Sequence, residues 1–515
     1  MAMFEFRNES TLNFADPAHR EAMQAALAKV KAEMGREYPL VIGAEKIYTD
    51  SKSVSRNPGN LDEIVGTVSQ ANRELAERAM QAALTKFEEW KLVSPEERAD
   101  YLFRGAAELR RRKYEFMAWM IYEVGKNWAE ADADVAEAID FMEFYGREML
   151  RLNEPQPLVR IAAERNRLHY IPLGVGIVIP PWNFPLAILV GMTTAAIVTG
   201  NTVLLKPASP SPVIGAKFVE LMEHVGLPKG VLNFVPGKGS EIGDYLVSHA
   251  KTRFISFTGS KETGLHINEL AAKTVQGQIW IKRVVAEMGG KDAIVVDASA
   301  NLEDAANTIV SSAFGFQGQK CSAGSRAIVH QDVYDKVLEM VAAKTKAFSI
   351  GLPEENFAIG PVVDQNAYDK ILEYIEIGKQ EGRLVTGGEK AEGNGYFIQP
   401  TIFADVSPRA RIMQEEIFGP VLSFAKAESF EHAVEIFNDT EYGLTGSLFS
   451  TDGAQMAYAE KHMHCGNLYF NRKCTGALVG VHPFGGFNMS GTDSKAGGRD
   501  YLLLFTQAKA VSEKL

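Results

Sequence analysis

The chain has 515 residues, of which 46% are hydrophobic and 23% charged, and its formal net charge is −11. This composition excludes fibrous and disordered proteins and predicts two or three domains with substantial cores. The acidic balance disfavours the large basic surface that binds nucleic acid. We therefore expect a small-molecule partner and no nucleic acid.

The first nine residues carry acids at Glu5 and Glu9, where a signal peptide would have a basic region and then an apolar run. We expect no secretion signal and a cytoplasmic location. The three cysteines, Cys321, Cys465 and Cys474, are too few for a disulfide framework and lack the paired spacing of a zinc site. No metal is expected.

Helix start signals stand out in residues 1–150. Asp16-Pro17 predicts the start of one helix. The segment Ser94-Pro95-Glu96-Glu97 combines a capping serine, a proline at the first helical position and a glutamate at the third. We expect helices to dominate this part of the chain.

From about residue 174, short apolar runs alternate with helical stretches. The predicted strands are 176–179, 202–205, 231–235 and 254–257. Residues 186–205 are apolar enough to raise the question of a membrane span. Because threonine, glycine and asparagine occur among them, we predict a buried helix and then a buried strand, and no membrane contact.

A second series of this kind begins after Gly290. It has a predicted strand at 293–297, a helix from Leu302 and a strand at 327–330. Alternation of strands and helices predicts a parallel α/β sheet, so each series indicates one α/β domain.

Two extended and partly apolar segments fit neither series. Residues 158–173 resemble a hairpin, and residues 501–511 lie near the end of the chain. We expect both to pair outside the two α/β domains. An exposed strand edge there would favour oligomerisation.

Two glycine-rich turns, 237–243 and 257–264, follow strands of the first series and could present backbone donors to phosphate. Each by itself is more often an ordinary tight turn. The second has Leu265-His266 where a P-loop needs Lys and Ser or Thr, which disfavours kinases and ATPases. The position of both turns after neighbouring strands favours a dinucleotide.

Cys321 lies among glycine and hydrogen-bonding side chains in residues 317–322 and is the candidate nucleophile. Glu287, thirty-four residues earlier, can supply a base, and Asn183 can donate to an oxyanion. Each alone has an ordinary interpretation, as a buried thiol, a solvated carboxylate and a turn residue. Together they meet the requirements of one reaction.

Seven motifs, in order along nearly the whole chain, resemble those of the aldehyde dehydrogenase superfamily. They are Pro181-Trp182-Asn183-Phe184-Pro185, Lys206-Pro207-Ala208-Ser209, Phe257-Thr258-Gly259-Ser260, Glu287-Met288-Gly289-Gly290-Lys291, Gly318-Gln319-Lys320-Cys321, Glu416-Ile417-Phe418-Gly419-Pro420 and Pro483-Phe484-Gly485-Gly486.

The resemblance implies the aldehyde dehydrogenase fold, an α/β fold in three parts. A variant Rossmann domain that binds NAD is expected at residues 1–150 plus 174–286, and a catalytic α/β domain at 287–482. A small bridging sheet is expected at 151–173 plus 483–515. Members of the family assemble through this sheet, so we expect a homodimer or a multiple of dimers.

The resemblance also implies NAD-dependent oxidation of an aldehyde through a thioester. Cys321 would attack, Asn183 and the Cys321 N–H would hold the oxyanion, and Glu287 would activate water. The residues placed at the cofactor are Trp182, Lys206, Ser209, Gly237, Gly259, Ser260, Glu416 and Phe418. Many relatives have a glutamate at the position of Ser209 that would repel a 2′-phosphate, so we expect NAD with NADP tolerated.

The C-terminal segments 474–480 and 490–498 are most similar to the subfamily that oxidises L-glutamate γ-semialdehyde to L-glutamate. The residues that this similarity places at the substrate are Ser322, Gly476, Ala477, Glu137, Phe184 and Phe484. The first three would bind the α-carboxylate, the glutamate would face the ammonium, and the two rings would flank the aliphatic chain.

Three alternatives stay open. The main one is another aldehyde dehydrogenase, acting on a semialdehyde without an amino acid head. A cysteine hydrolase would need a histidine base, and none of the ten histidines lies in a recognisable Cys-His motif. A binding protein that kept the fold without activity is disfavoured by the intact Cys321, Glu287 and Asn183.

Overall fold

Two seven-stranded sheets, each covered by helices, position the candidate site residues. The structure is a computed structural model that describes residues 5–515. Residues 1–4 lie outside the described residues, and with them part of the segment on which the expectation of no secretion signal rests.

The α-helices of the described chain, in order, are α1 (Pro17–Glu33), α2 (Arg73–Trp90), α3 (Pro95–Arg111), α4 (Lys113–Val124), α5 (Trp128–Asn153), α6 (Ala187–Val198), α7 (Pro212–His224), α8 (Asp244–Ser248), α9 (Lys261–Ala272), α10 (Leu302–Phe314), α11 (Tyr334–Lys346), α12 (Gln365–Glu381), α13 (Arg411–Gln414), α14 (Phe430–Asn438) and α15 (Gly453–His462).

The strands are β1 (Arg36–Tyr38), β2 (Leu40–Ile42), β3 (Glu45–Ile47), β4 (Lys52–Asn57), β5 (Asn60–Ser69), β6 (Glu164–Pro172), β7 (Val175–Ile179), β8 (Thr202–Leu205), β9 (Leu232–Phe234), β10 (Thr252–Thr258), β11 (Arg283–Glu287), β12 (Ala293–Val296), β13 (Arg326–His330), β14 (Arg383–Thr386), β15 (Thr401–Ala404), β16 (Val421–Ala427), β17 (Tyr442–Gly443), β18 (Thr445–Phe449), β19 (Asn467–Phe470), β20 (Phe487–Asn488) and β21 (Thr506–Lys514).

The first large sheet has the strand order β11-β10-β7-β8-β9-β2-β3. Its first five strands are parallel, and β2 runs antiparallel to both of its neighbours. Both faces are buried, because Val203 and Leu205 pack into one hydrophobic core and Leu204 into another. The carboxyl ends of the parallel strands therefore lie together at one edge.

The second large sheet has the order β14-β15-β16-β13-β12-β18-β19, with β14 antiparallel to β15 and the rest parallel. It also buries both faces: Ile294 and Val296 pack on one side and Val295 on the other. The candidate nucleophile lies between α10 and β13 of this sheet.

The extended segments predicted near residues 158–173 and 501–511 pair with each other. β6 and β21 form an antiparallel two-stranded sheet, from Glu164 opposite Lys514 to Pro172 opposite Thr506. The prediction of a hairpin within 158–173 is wrong, because β6 is a single strand whose partner is the far end of the chain. Because the two paired strands lie far apart in the chain, no turn motif between them marks the pairing.

The local predictions hold well. The Asp16 side chain accepts from the Ala18 N–H at 2.9 Å, and Ser94 accepts from the Glu97 N–H at 3.2 Å, which confirms both helix starts. The apolar segment 186–205 forms α6 and β8, as predicted. Within residues 5–515, no helix is both long and apolar enough to cross a membrane.

The prediction for residues 1–150 missed five strands, β1 to β5. Three of them have only three residues, which is too short for a periodic pattern. β2 becomes a strand through its contact with the first large sheet, where Val41 pairs with Phe234. Distant pairing, rather than local pattern, decides the structure of this segment.

Candidate active site

Two adjoining cavities meet at Cys321. The large cavity, of about 480 Å³, opens at the carboxyl ends of β7 and β10. The small cavity, of about 110 Å³, is lined mainly by α5, α6 and residues 476–484. Thr258, Met288 and Cys321 line both cavities. The thiol therefore lies where two separate ligands can meet.

Shortly before Cys321, the three consecutive residues 316–318 adopt the left-handed conformation. The φ angle is 49° at Phe316, 56° at Gln317 and 68° at Gly318. A Cβ at Gly318 would lie 2.3 Å from the Gly419 carbonyl oxygen, so only glycine fits there. The Gln317 amide holds the turn by donating to a backbone carbonyl at 2.8 Å. Left-handed backbone costs on the order of 1–2 kcal/mol per non-glycine residue, so surrounding contacts must maintain this loop.

The thiolate form of Cys321 is disfavoured in this structure. Burial raises its pKa well above the ordinary value, and the charges of Asp292 and Glu416 raise it further. The thiol must lose its proton before it can attack. Neighbouring Lys320 is already paired with Glu130, at 2.6 Å. The Cys321 N–H donates to no atom of residues 5–515 and is free for a ligand.

Glu287 is the last residue of β11 and lines the small cavity with Cys321. Its carboxylate accepts from the Gly486 N–H at 3.1 Å and from the Ser494 hydroxyl. Burial raises the pKa of Glu287 to about 8, although these two donors lower it. A carboxyl with such a pKa is suited to act as a general base near neutral pH.

Asn183 follows β7 and lines the large cavity beside Cys321. Its side chain is 3% exposed and makes no hydrogen bond within residues 5–515. Buried amides are nearly always hydrogen-bonded, because an unsatisfied donor costs roughly 1–3 kcal/mol. The free amide and the free Cys321 N–H are therefore two donors that a ligand in the large cavity can use.

Six of the eight predicted cofactor contacts line the large cavity: Trp182, Ser209, Gly259, Ser260, Glu416 and Phe418. Ser260 caps the start of α9, where backbone N–H groups suit a phosphate. The Glu416 carboxylate accepts from the Gly290 N–H at 3.0 Å. The rings of Trp182 and Phe418 meet edge to face with centroids 5.4 Å apart.

The other two predicted cofactor residues, Lys206 and Gly237, do not line this cavity. The Lys206 side chain is 6% exposed, and its ammonium has no hydrogen bond or ion pair within residues 5–515. Gly237 packs against Ile242, which a Cβ would approach to 2.6 Å. Local packing alone is enough to require a glycine there, and its contact with a cofactor stays a prediction.

All six predicted substrate residues line the small cavity: Ser322, Gly476, Ala477, Glu137, Phe184 and Phe484. The Glu137 carboxyl has no hydrogen bond or ion pair within the described chain. Burial raises the pKa of Glu137 to about 8, and the charge of Asp134 contributes. A cationic ligand would bring this pKa down and bind the carboxylate form.

The opposite wall of the small cavity offers donors. The backbone N–H groups of Gly476 and Ala477 and the Ser322 hydroxyl make no hydrogen bond with residues 5–515. Gly476 has a φ of 73°, a conformation that favours glycine. Three unpaired donors on one wall favour an anion such as a carboxylate.

Arg472 and His482 support this wall, and no motif in the sequence pointed to either residue. The Arg472 guanidinium donates to the Thr475 and Gly476 carbonyl oxygens, both at 3.1 Å. It also lies 3.0 Å from His482 Nε2. These contacts hold the loop by its carbonyl oxygens. The N–H groups of Gly476 and Ala477 make no hydrogen bond with residues 5–515 and stay available to the cavity.

Lys126 is a second residue that sequence reasoning missed. Its side chain is fully buried, with Nζ 3.1 Å from Asp134 Oδ2. The ammonium lies 4.2 Å from the centre of the Phe184 ring and 4.5 Å from that of Phe316. It thereby joins a wall of the small cavity to the Cys321 loop. A single lysine after a helix-ending glycine carries no sequence signal for such a position.

Several known proteins are similar to this chain over nearly its whole length. A model of the aldehyde dehydrogenase family matches residues 48–511. The 1-pyrroline-5-carboxylate dehydrogenase of Geobacillus kaustophilus is 63% identical over 509 residues, which cover 99% of each chain. A solved structure of 1-pyrroline-5-carboxylate dehydrogenase from Thermus with bound NAD is 52% identical, with 100% of both chains covered and a TM-score of 0.99. The aldehyde dehydrogenase KauB from Pseudomonas aeruginosa is 29% identical, with 96% of this chain and 99% of its own covered and a TM-score of 0.90.

Proposed function

The chain belongs to the aldehyde dehydrogenase family, and we propose from this premise that it oxidises L-glutamate γ-semialdehyde to L-glutamate with NAD, a step of proline or arginine catabolism. This semialdehyde is the open form of 1-pyrroline-5-carboxylate, after which the full-length relatives are named. The observation that carries the proposal is the position of Cys321 at the junction of the two cavities. One cavity suits the cofactor and the other the aldehyde.

The residues of the large cavity fit NAD. The start of α9 at Ser260 suits its diphosphate. Lys206 does not line the cavity, and its unpaired ammonium is proposed to reach a ribose hydroxyl from outside the lining. Glu416 and Phe418 lie in the same cavity as Cys321 and suit the nicotinamide end. When bound, NAD supplies the oxidising equivalents that convert the Cys321 adduct into a thioester.

Cys321 adds through its sulfur to the aldehyde carbon and forms a hemithioacetal. The oxygen that becomes negative accepts from the Asn183 amide and the Cys321 N–H, both of which are free of hydrogen bonds with residues 5–515. Because both donors are already in place, they stabilise the charge without rearrangement. After oxidation, Glu287 takes a proton from the water that attacks the thioester, and L-glutamate leaves.

Replacing Asn183 with alanine should lower kcat by about 100-fold, since losing one oxyanion donor costs about 3 kcal/mol. NAD affinity, measured by fluorescence titration, should stay near the wild-type value. The control is Asn307→Ala, an exposed asparagine on α10 that should leave kcat unchanged. An Asn183→Ala enzyme with wild-type turnover would remove this residue from the mechanism.

The small cavity recognises the amino acid head of the substrate. Glu137 faces the ammonium, and Ser322 with the N–H groups of Gly476 and Ala477 binds the α-carboxylate. The unpaired state of these groups in the described chain supports this assignment. A plain aldehyde would leave the same groups unpaired, which is unfavourable in a buried site.

A substrate panel tests the proposed function. NAD reduction is followed with L-glutamate γ-semialdehyde, with succinic semialdehyde, which lacks the amino group, and with pentanal, which lacks both charged groups. We expect the highest kcat/KM with the glutamate semialdehyde. A preference for succinic semialdehyde would indicate another aldehyde dehydrogenase, and no reduction with any aldehyde would support a non-catalytic protein.

NADP should be accepted, with NAD preferred. Ser209 is exposed at the large cavity and puts no negative charge there. Ser209→Glu should lower kcat/KM for NADP at least tenfold, about 1.4 kcal/mol, through repulsion of the 2′-phosphate, and leave NAD within twofold. Ser209→Ala, which adds no charge, serves as the control. A wild-type enzyme with no detectable NADP activity would contradict the expectation.

A homodimer or a multiple of dimers is the proposed assembly. Large apolar side chains are exposed just before β6 and β11: Val159 is 95% exposed, Ile161 59% and Ile281 86%. Exposed apolar residues near the two-stranded sheet of β6 and β21 support association of copies through this region. Light scattering, which gives the mass in solution, tests it, and a monomer at micromolar concentration would refute it.

A cytoplasmic location is also a proposal. The three cysteines are all unpaired in the structure, which suits a reducing compartment. Cell fractionation tests it, and recovery of the protein outside the cytoplasmic fraction would refute it.

A further inference from the structure

We propose that Asn8 is a positioning residue that sets the separation between the two walls of the small cavity. The N-terminal strap, residues 6–14, would thereby help to select an amino acid aldehyde over a plain one. This inference deepens the proposed function and rests on it.

The Asn8 amide joins both walls directly. Its Nδ2 donates to Asp140 Oδ2 on α5 at 2.8 Å and to the Val479 carbonyl oxygen at 3.0 Å. A primary amide has two N–H donors, so each wall receives one of them. Val479 itself lines the small cavity.

Further contacts of the strap reinforce the same two walls. The Glu9 N–H donates to Asp140 Oδ1 at 2.6 Å, so the strap holds both oxygens of a carboxylate that is 4% exposed. The Phe6 ring packs edge to face on Phe144 of α5, with centroids 5.2 Å apart. A Cβ at Gly480 would lie within 3.2 Å of both rings, so the loop after Val479 also packs against this pair.

The two walls carry opposite ends of the recognition site. On α5, Glu137 and Phe141 line the cavity, and Asp140 lies between them in the same helix. Across the cavity, Gly476 and Ala477 present the free N–H groups. The distance between the group for the ammonium and the groups for the carboxylate therefore depends on how the strap fixes one wall against the other.

The strap lies outside the segment shared by the whole family. The family model matches from residue 48 onward, whereas the relative from Geobacillus kaustophilus aligns over 99% of the chain. A segment that lies outside the family match and bonds both α5 and the loop at Val479 suits a role in selecting the substrate rather than in the common chemistry.

The test compares Asn8→Ala with Asn13→Ala. Asn13 lies on the same strap, is exposed, and its side chain accepts only from the nearby Ala15 N–H. For Asn8→Ala we expect KM for L-glutamate γ-semialdehyde to rise about tenfold, with kcat and the kcat/KM for pentanal within twofold of wild type. The inhibition constant of the product, L-glutamate, should rise in parallel, since it carries the same head. Asn13→Ala should match wild type throughout.

A second variant separates hydrogen bonding from packing. Asn8→Asp keeps the shape of the side chain but removes both donors and puts a like charge beside Asp140, so its KM should rise at least as much as in Asn8→Ala. If Asn8→Ala fails to fold, Asn8→Ser, which retains one donor, takes its place in the comparison. Equal losses with both aldehydes would show a purely structural role, and an unchanged KM would refute the inference. Wild-type enzyme without activity on the glutamate semialdehyde would instead refute the proposed function.

Discussion

Replacing Cys321 with alanine should abolish NAD-linked aldehyde oxidation, with kcat lowered by a factor on the order of 10⁴ to 10⁶. In the proposed mechanism, the sulfur forms the bond that turns the aldehyde into an oxidisable adduct. The other two cysteines are buried in the cores of the second sheet. Initial rates of NADH formation give the measurement.

The matched control for this variant is Cys465→Ala, which makes the same substitution at a buried thiol outside both cavities. It should retain most of its turnover and lose only some stability, through a small cavity in the core. NAD binding and the thermal midpoint of Cys321→Ala should stay close to wild type. Turnover of this variant above the uncatalysed background would show that another residue is the nucleophile.

Replacing Glu287 with glutamine should separate the two halves of the reaction. The first turnover should survive as a burst of about one NADH per subunit, because attack and oxidation do not use this carboxylate. Steady turnover should fall by roughly 10²–10⁴, the range for loss of a general base. Stopped-flow absorbance measures both phases. Loss of the burst together with the turnover would assign Glu287 to an earlier step.

Glutamine keeps the size of the side chain but cannot fully replace the contacts of the carboxylate, which accepts from the Gly486 N–H and the Ser494 hydroxyl. Glu269→Gln, the same substitution on the exposed face of α9, controls for the loss of a charge. The thermal midpoint separates a chemical effect from a loss of structure.

The pH dependence of kcat is an independent test of the role of Glu287. Burial raises the pKa of Glu287 to about 8, so the carboxylate that acts as base is the minor form at neutral pH. Where thioester hydrolysis limits the rate, wild-type kcat should rise with pH up to about 8 and then level off. The Glu287→Gln enzyme should not show this rise of kcat with pH, because its amide does not titrate.

Local features of the fold were readable in advance. These features are the helix starts at Asp16 and Ser94, the succession of a buried helix and a buried strand in α6 and β8, and the strand predicted at 293–297 and found at Ala293–Val296. All of them depend on residues close together in the chain. Capping, fixed proline φ and apolar runs act over a few positions, and a sequence shows them directly. The short strands β1 to β3 lack such a pattern and were missed.

The residues of the candidate site also differ in whether a sequence motif pointed to them. Its candidate reactive residues could be proposed because a thiol, a carboxylate and an amide in ordered motifs have few chemical uses together. Lys126 and Arg472 could not, since a lysine or arginine is ordinarily solvated and nothing nearby in the chain marks these two as supports of the cavity.

The sequence by itself determined the family of motifs, the candidate nucleophile with its proposed partners and the local course of helices and strands. Only the tertiary structure decided that β6 pairs with β21, that Cys321 joins two cavities, and that Asn8 links α5 to the loop at Val479. It also decided the raised pKa values of Glu287 and Glu137. These properties depend on burial and on partners hundreds of residues away, and a linear pattern specifies neither the local dielectric nor the distance between two distant side chains.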